Sequence, residues 1–139
     1  ALYRGSQAGV PIDMLVRGMC VLRPGVPGVS ERIRVRSIVG RFLEHSRIYS
    51  FENGGDREVF IASADWMGRN LDGRVEIVTP VLDPLISETI HAQILSVLLA
   101  DNVKSRELQE NGSYKRLSPG PGEMPIDAQR VFLTQTQAL

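Results

Sequence analysis

Two short apolar runs on either side of a glycine turn constrain the fold most. The first run is residues 47–51 (RIYSF), the second is residues 59–62 (VFIA), and the segment NGGD at 53–56 lies between them. Aromatic and β-branched residues favour strands, and adjacent glycines supply the positive φ angles that tight turns need. The region therefore predicts a β-hairpin.

The other elements are predicted from apolar spacing and from capping residues. The 139 residues suffice for one domain with a buried core, and an apolar content of 42% is ordinary for a soluble α/β protein. Asp83 and Pro84 suit the N-cap and first turn of a helix whose apolar residues recur at helical spacing. The predicted elements are a helix at 1–8 ended by Gly9, strands at 10–16, 32–37 and 74–79 (the last stopped by Pro80), a short helical turn at 40–45, a helix at 84–101, a loop at 118–125, and a final helix at 126–139 capped by Asp127 or a neighbour.

Arginine is concentrated in the first half of the chain. Residues 17–74 contain ten arginines and seven carboxylates, whereas residues 75–139 contain five basic and eight acidic residues. Every cation of the first segment is arginine, whose planar fork binds phosphate oxygens with two hydrogen bonds. An arginine-rich genome would produce the same bias, so composition leaves both interpretations open.

No pattern for a disulfide, a zinc site or a membrane span is present in the sequence. Cys20 is the lone cysteine, and no Cys/His cluster has zinc-ligand spacing. No apolar run approaches the roughly 18 residues of a membrane span, and no signal peptide is recognisable. We therefore expect a cytoplasmic location. The chain begins at Ala1 in what reads as the end of a helix, which indicates a piece of a larger protein.

His45 is the main candidate for phosphate chemistry. It lies between Glu44 and Arg47, where a turn meets the first strand of the hairpin. An imidazole can act as general acid, general base or phosphate ligand near neutral pH. The other histidine, His91, falls within the predicted long helix and is interpreted as a partly exposed helix residue.

Two arginines flank predicted strands. Arg17 follows the strand at 10–16, and Arg74 begins the strand at 74–79. Strand ends that meet at one edge of a sheet can converge on one pocket. Both arginines are therefore candidate anion ligands, although a single arginine is usually a solvated surface residue.

The turn after the hairpin holds three further residues of interest. Asp65 and Asn70 can satisfy backbone groups of the turn, and Asn70 can equally orient a ligand or the histidine. Trp66 is expected to fill core. We treat Asp65 and Asn70 as supporting residues of the candidate site.

Two other polar features carry less information. The alternating Arg32, Arg34 and Arg36 predict a strand with one cationic face, which we interpret as a solvated sheet edge protected by charge. Gly25 and Gly28 do not form a phosphate-binding loop, because no Walker or dinucleotide pattern surrounds them.

These residues resemble the C-terminal domain of the long, ATP-dependent polyphosphate kinase family. The resemblance covers about residues 8–110 and rests on two segments, RGMCVLRPGVPGVSERIRVRSIVGRFLEHSRIYSF and FIASADWMGRNLDGRVEIVTPVLDP. It implies an α/β fold with a mixed β-sheet flanked by helices, one half of a phospholipase D-like pair. We expect this catalytic half-domain at residues 1–117, followed by a linker and C-terminal helix at 118–139.

The resemblance also implies roles for individual residues. The phospholipase D superfamily uses a His-x-Lys motif and a later Asn, which match His45, Arg47 in place of lysine, and Asn70. His45 is implied to assist transfer and to contact the nucleotide phosphates. Arg17 and Arg74 match arginines that bind those phosphates.

The implied reaction is reversible transfer of the terminal phosphoryl group of ATP to an enzyme histidine and then to polyphosphate. The phosphohistidine, the Mg²⁺ contacts and the adenine-stacking tyrosine are implied to lie before Ala1, so no metal ligand is assigned here and the chain alone is expected to be inactive. Implied partners are ATP or ADP, polyphosphate and the remaining domains of the same polypeptide. A homo-oligomer is expected for the full-length protein; no nucleic acid or transmembrane segment is expected, and membrane association stays open.

Two other functions stay open on the residues alone. A phosphodiesterase half of the phospholipase D type would want lysine where Arg47 lies. A non-catalytic polyanion-binding module would use the arginine face, but the net charge is zero and aromatic residues make up 6%. That is few for the stacking platform of single-strand binders.

Overall fold

A computed structural model describes residues 1–136 and shows an α/β fold, which confirms the class expected from the sequence. The strands are β1 (Ile12–Leu15), β2 (Ile33–Ile38), β3 (Ile48–Phe51), β4 (Glu58–Ala62), β5 (Val78–Pro80), β6 (Ser105–Leu108) and β7 (Tyr114–Arg116). The helices are α1 (Leu2–Gln7), α2 (Gly68–Leu71), α3 (Pro84–Thr89), α4 (Ser96–Ala100) and α5 (Ala128–Thr136), with a π-helical turn at Ile90–Leu95. The chain forms two compact units, one from residues 1–44 with the segment after residue 97, the other from residues 45–97.

The first unit contains a mixed four-stranded sheet in the order β1-β2-β6-β7. Strands β1 and β2 are parallel, and the other pairs are antiparallel. Successive side chains of a strand point to opposite faces, so Ile33 and Val35 face inward together and meet Leu108 in the core. Leu2 of α1 and Met14 of β1 pack against this cluster.

The arginines of β2 are not at a sheet edge, so that interpretation is wrong. Strand β2 lies between β1 and β6, and the arginines are neutralised across the ladder instead. Arg34 pairs with Asp13 on β1 at 2.7 Å, and Arg36 pairs with Glu107 on β6 at 3.2 Å. The hydrogen bond from Arg34 to Asp13 raises the pKa of the arginine above its ordinary value. The cationic face thus consists largely of cross-strand ion pairs.

The hairpin of β6 and β7 is absent from the sequence-based prediction. Its turn contains Asn111 and Gly112, with Gly112 at φ 85°. The Asn111 side chain accepts a hydrogen bond from the backbone N–H of Ser113 at 2.9 Å. An Asn-Gly pair is a strong hairpin signal, but the flanking residues are mostly charged and hide the strand pattern.

The second unit contains an antiparallel three-stranded sheet in the order β3-β4-β5. The predicted hairpin is confirmed as β3 and β4. Its turn has three successive residues at positive φ, namely Asn53 at 43°, Gly54 at 69° and Gly55 at 104°. Two glycines therefore lie where the chain needs left-handed backbone.

The strand predicted at 74–79 is wrong over its first four residues, because β5 comprises only Val78–Pro80. One backbone bond continues beyond the strand, from the N–H of Ser63 to the carbonyl of Ile77 at 3.0 Å, and side-chain bonds follow it: Ser63 Oγ accepts from the backbone N–H of Ile77 at 3.0 Å and donates to Glu76. Pro80 does not stop the strand but belongs to it. It can do so because β5 pairs with β4 alone and has a free edge among the described strands.

The helical turn predicted at 40–45 is also wrong, since residues 40–44 form an irregular loop. The side-chain amide of Gln129 on α5 accepts from the backbone N–H of Phe42 at 3.0 Å and donates to its carbonyl at 2.7 Å. These bonds occupy the backbone groups that a helix would use. A side chain at Gly40 would overlap the Gln129 amide.

The long helix is confirmed over residues 84–100, as α3, the π-helical turn and α4 in succession, and its cap is the expected one. Asp83 accepts from the backbone N–H groups of Leu85 at 2.8 Å and Ile86 at 3.1 Å. The π-helical turn inside it was not predicted, because apolar spacing does not distinguish one inserted residue.

The final helix is confirmed over Ala128–Thr136, and residues 137–139 of that prediction lie outside the described residues. Asp127 caps it by accepting from the backbone N–H of Arg130 at 3.2 Å. Buried Asp101 also accepts from the N–H of Ala128 at 2.9 Å, which ties the helix to its unit. The boundary expected at residue 117 stays a prediction.

Candidate functional site

His45, Arg47 and Asp65 lie together at one end of the hairpin. Strands β3 and β4 are antiparallel, so the start of β3 pairs with the end of β4, and the N–H of Ala62 donates to the carbonyl of Arg47 at 2.9 Å. Residues just before β3 and just after β4 therefore share an edge. Arg47 Nε donates to Asp65 Oδ1 at 3.2 Å, and Arg47 Nη1 lies 2.8 Å from His45 Nδ1.

The contact with Arg47 favours one imidazole nitrogen of His45 as the site of the ring proton. A guanidinium has five N–H donors and no acceptor. His45 Nδ1 lies 2.8 Å from Nη1 and Nε2 lies 3.4 Å away, so the closer Nδ1 is the better acceptor and the contact favours the neutral tautomer with its proton on Nε2. Nη1 also donates to the His45 carbonyl at 3.0 Å, so the arginine holds both the ring and the backbone. His45 is exposed, which leaves Nε2–H reachable by a ligand.

Asn70 and Glu76 form a second pair in the same unit. Asn70 on α2 is 5% exposed, and its Nδ2 donates to Glu76 Oε1 at 2.9 Å. Ser63 Oγ donates to the other carboxylate oxygen. A carboxylate only accepts, so Glu76 fixes the orientation of the amide. Asn70 Oδ1 is then buried and has no hydrogen-bond partner among residues 1–136.

The surroundings of Glu76 stabilise its charged form. The hydrogen bond from Ser63, then that from Asn70, and the charges of Arg74 and Arg47 hold the pKa of Glu76 below its ordinary value. Sequence reasoning did not select Glu76 as a site residue, because one carboxylate in a strand-like run resembles a solvated face. Asn70, Glu76 and Arg47 are thus linked electrostatically, which no motif spacing revealed.

Arg74 and Arg17 lie in different units. Arg74 is exposed in the irregular segment before β5, and its guanidinium makes no hydrogen bond or ion pair with residues 1–136. Arg17 is half-buried two residues after β1, and its Nη1 donates to the Glu44 carbonyl at 3.1 Å. The expected position of Arg17 beyond a strand end is confirmed, whereas Arg74 does not begin a strand.

Trp66 is not a core residue, so that expectation is wrong. It is 57% exposed and stacks on Tyr49, with ring centroids 5.3 Å apart and an interplanar angle of 14°. Burial raises the pKa of the Tyr49 hydroxyl. His91, in contrast, is a partly exposed helix residue as expected, with Nδ1 3.1 Å from Ser50 Oγ.

The described residues do not fit a metal site of their own. Within residues 1–136, no group of three or more His, Cys, Asp or Glu side chains could hold an ion. In the same part of the chain, no helix is long and apolar enough to cross a membrane.

Comparison with known proteins links the chain to one family. The family model described as polyphosphate kinase C-terminal domain 2 matches residues 1–129. The polyphosphate kinase of Thermosynechococcus vestitus is 56% identical over 98% of this chain, and that of Pseudomonas aeruginosa is 54% identical over 99%. The crystal structure of polyphosphate kinase from Porphyromonas gingivalis superimposes with a TM-score of 0.91 at 44% identity and covers 99% of this chain.

The similarity concerns only part of each relative. The chain spans 18% of the Thermosynechococcus protein, 20% of the Pseudomonas protein and 21% of the solved Porphyromonas chain.

Proposed function

The chain belongs to the polyphosphate kinase family as its C-terminal domain 2, and from this we propose that it forms one wall of a phosphoryl-transfer site. The observation that carries the proposal is the contact of His45 with Arg47, which Asp65 holds in place. It presents a histidine N–H beside a fixed cation, and phosphoryl transfer needs such donors at the peripheral oxygens.

The reaction that we propose is reversible. The terminal phosphoryl group of ATP moves to an enzyme histidine outside this chain and releases ADP, and the group then moves to the end of a polyphosphate chain. His45 donates from Nε2 to a phosphate oxygen, and Arg17 and Arg74 bind nucleotide phosphates. The exposed guanidinium of Arg74 supports this role.

Arg47, Asn70, Asp65 and Glu76 support that site without being its reacting groups. Arg47 keeps His45 in one tautomer, and Asp65 keeps Arg47 in place. Glu76 orients Asn70, whose Oδ1 has no hydrogen-bond partner among residues 1–136 and is left as an acceptor. Because an amide oxygen accepts hydrogen bonds, we expect Asn70 Oδ1 to bind an N–H donor of the site and not a phosphate oxygen.

The remaining properties proposed for the full-length protein follow from the family. They are a phosphorylated histidine, Mg²⁺ held by residues outside this chain, contacts with the remaining domains, a homo-oligomer, and a cytoplasmic location with membrane association open. Magnesium would neutralise charge on the transferred phosphates. No residue described here is given a role toward it.

The two alternatives have less support. Position 47 carries arginine instead of the lysine of a phosphodiesterase half, and Arg47 has two partners that use its fork. A polyanion-binding face on β2 is disfavoured because Arg34 and Arg36 are already paired with carboxylates.

The test is ATP-dependent polyphosphate synthesis by the full-length enzyme that contains this chain. We expect His45→Ala and Arg74→Ala each to lower turnover by roughly a hundredfold or more, since each removes a transition-state contact. Arg69→Ala is the matched control, because Arg69 is an exposed arginine of α2 without a proposed role. Near-normal turnover of folded His45→Ala and Arg74→Ala enzymes would refute the proposal.

A further inference from the structure

One face of the sheet in the second unit carries aromatic and apolar side chains. In the ladder, Tyr49 lies opposite Phe60, and Phe60 lies opposite Pro80. Alternate residues of a strand share a face, so Phe51 and Val78 point the same way as these three. We name this set the aromatic face; it comprises Tyr49, Phe51, Phe60, Val78 and Pro80.

Ring contacts extend the aromatic face toward the candidate site. Phe51 and Phe60 meet edge to face, with centroids 6.0 Å apart. Trp66 stacks on Tyr49 and therefore adjoins the same face. Trp66 directly follows Asp65, the partner of Arg47, so the aromatic face borders the group of His45 and Arg47.

The opposite face of this sheet is covered in part, and it contacts the unit's own helical segment at Ser50. Val59 points to that face and is 2% exposed. Ser50, which lies opposite Val59 in the ladder, contacts His91 of the π-helical turn. Ile61 on that opposite face is 42% exposed, whereas Phe51 and Val78 on the aromatic face are 52% and 59% exposed, and the adjoining Trp66 is 57% exposed.

The composition of the aromatic face restricts what can cover it. Its five residues include no cation, the bordering Arg47 is paired with Asp65, and the residue opposite Phe51 on the same face is a carboxylate, Glu58. A polyanion or an anionic membrane surface would need lysine or arginine there. Contiguous exposed apolar surface is typical of a docking site for another protein surface.

We propose that the aromatic face binds an apolar surface from the remainder of the same polypeptide. The chain spans only 18–21% of its relatives, so most of their length lies outside it. A tethered surface competes well with separate molecules, because its effective concentration is high. The inference rests on the proposed function in one respect, that this chain works within a longer kinase.

The test measures cysteine accessibility in the full-length enzyme. Val78→Cys and Phe51→Cys probe the aromatic face, and Leu82→Cys is the control, because Leu82 is 85% exposed in the loop after β5. Maleimide labelling is followed by peptide mass spectrometry, and each rate is divided by that of the unfolded protein. Polyphosphate synthesis by each variant shows that the variant is folded. Two probes are used so that the test remains possible if one of the substitutions prevents folding.

We expect the two probes to be labelled at least about tenfold more slowly than the control, as for groups reached only through local opening. Dilution should leave the protection unchanged. Labelling of all three at similar rates would overturn the proposal. Protection that disappears on dilution would also overturn it and would indicate a second copy. Labelling reports packing and not catalysis, so the two hypotheses can fail separately. If the probes are protected but the His45→Ala enzyme is fully active, the proposed function is refuted and the proposed docking surface is not.

Discussion

At the scale of single residues, the candidate site depends on what one guanidinium can do that an ammonium cannot. Arg47 bonds Asp65 through Nε and reaches His45 through Nη1. Its planar fork fixes the angle between the two contacts, whereas a lysine head is a point charge on a flexible stem. The arginine is therefore more than a retained positive charge.

Arg47→Lys tests this difference. We expect turnover of the full-length enzyme to fall about tenfold, the equivalent of one well-placed hydrogen bond, with little change in thermal stability. Nitrogen NMR of the His45 ring should show loss of the single Nε2–H tautomer. Wild-type turnover together with an unchanged tautomer would show that charge alone suffices at position 47.

Glu76 makes a prediction about acid stability. Its carboxyl group has a pKa held below the ordinary value of 4.5, chiefly by the hydrogen bond from Ser63. A group whose pKa is lowered by folding stabilises the protein above its unfolded pKa, and the contribution is lost as pH falls through the folded pKa.

We therefore expect Glu76→Gln to be less stable than wild type at neutral pH and to approach it below pH 4.5. Urea unfolding of the chain at both pH values measures this, with Glu110→Gln as an exposed control. A stability difference that is the same at both pH values would contradict the assignment. The effect should be small, because solvent screens exposed charges.

At the scale of elements, helix α5 holds a loop that has no regular structure of its own. Gln129 is 7% exposed, and its amide also donates to Glu44 Oε1 at 2.6 Å. Together with its two bonds to the backbone of Phe42, this bond means that one side chain makes three hydrogen bonds to the loop at 40–44. Position 40 has no room for a side chain, because the Gln129 amide lies against Gly40.

We expect Gln129→Ala to lower the free energy of unfolding by about 1–3 kcal/mol, since buried partners lose their hydrogen bonds. Gln129→Glu should cost at least as much, because a carboxylate cannot donate to the Phe42 carbonyl and repels Glu44. Arg130→Ala, one residue along the helix and exposed, is the control. Chemical denaturation measures all three; equal midpoints for Gln129→Ala and wild type would refute the role.

At the scale of the whole molecule, the chain spans only 18–21% of the length of its relatives, so we propose that it supplies part of a phosphoryl-transfer site. In the proposed function the nucleophilic histidine belongs to the remainder of the polypeptide, and His45 and Arg74 supply only charge stabilisation. We therefore expect the 139-residue chain to fold and to show no ATP-dependent polyphosphate synthesis.

The measurement is incorporation of labelled phosphate from ATP into polyphosphate, with the full-length enzyme at equal concentration as the positive control. Circular dichroism of the isolated chain shows that it is folded. Synthesis by the isolated chain at a substantial fraction of the full-length rate would contradict the prediction and place the nucleophile within these residues.

The sequence by itself determined the elements that depend on interactions between residues close together in the chain. The hairpin of β3 and β4 followed from two apolar runs around glycines at positive φ, and the long helix from Asp83, Pro84 and apolar spacing. Arg47 and Asp65 could be selected because they flank that hairpin. Such signals act within a few residues, so they can be recognised without knowing the fold.

Only the tertiary structure decided the rest, because the groups concerned are far apart in the chain. The loop at 40–44 is held by Gln129, and Ser63 and Asn70 together hold Glu76. Trp66 was expected in the core and is instead exposed beside the aromatic face, where it stacks on Tyr49. A residue type states which bonds a side chain can make, and the fold decides which partners are within reach.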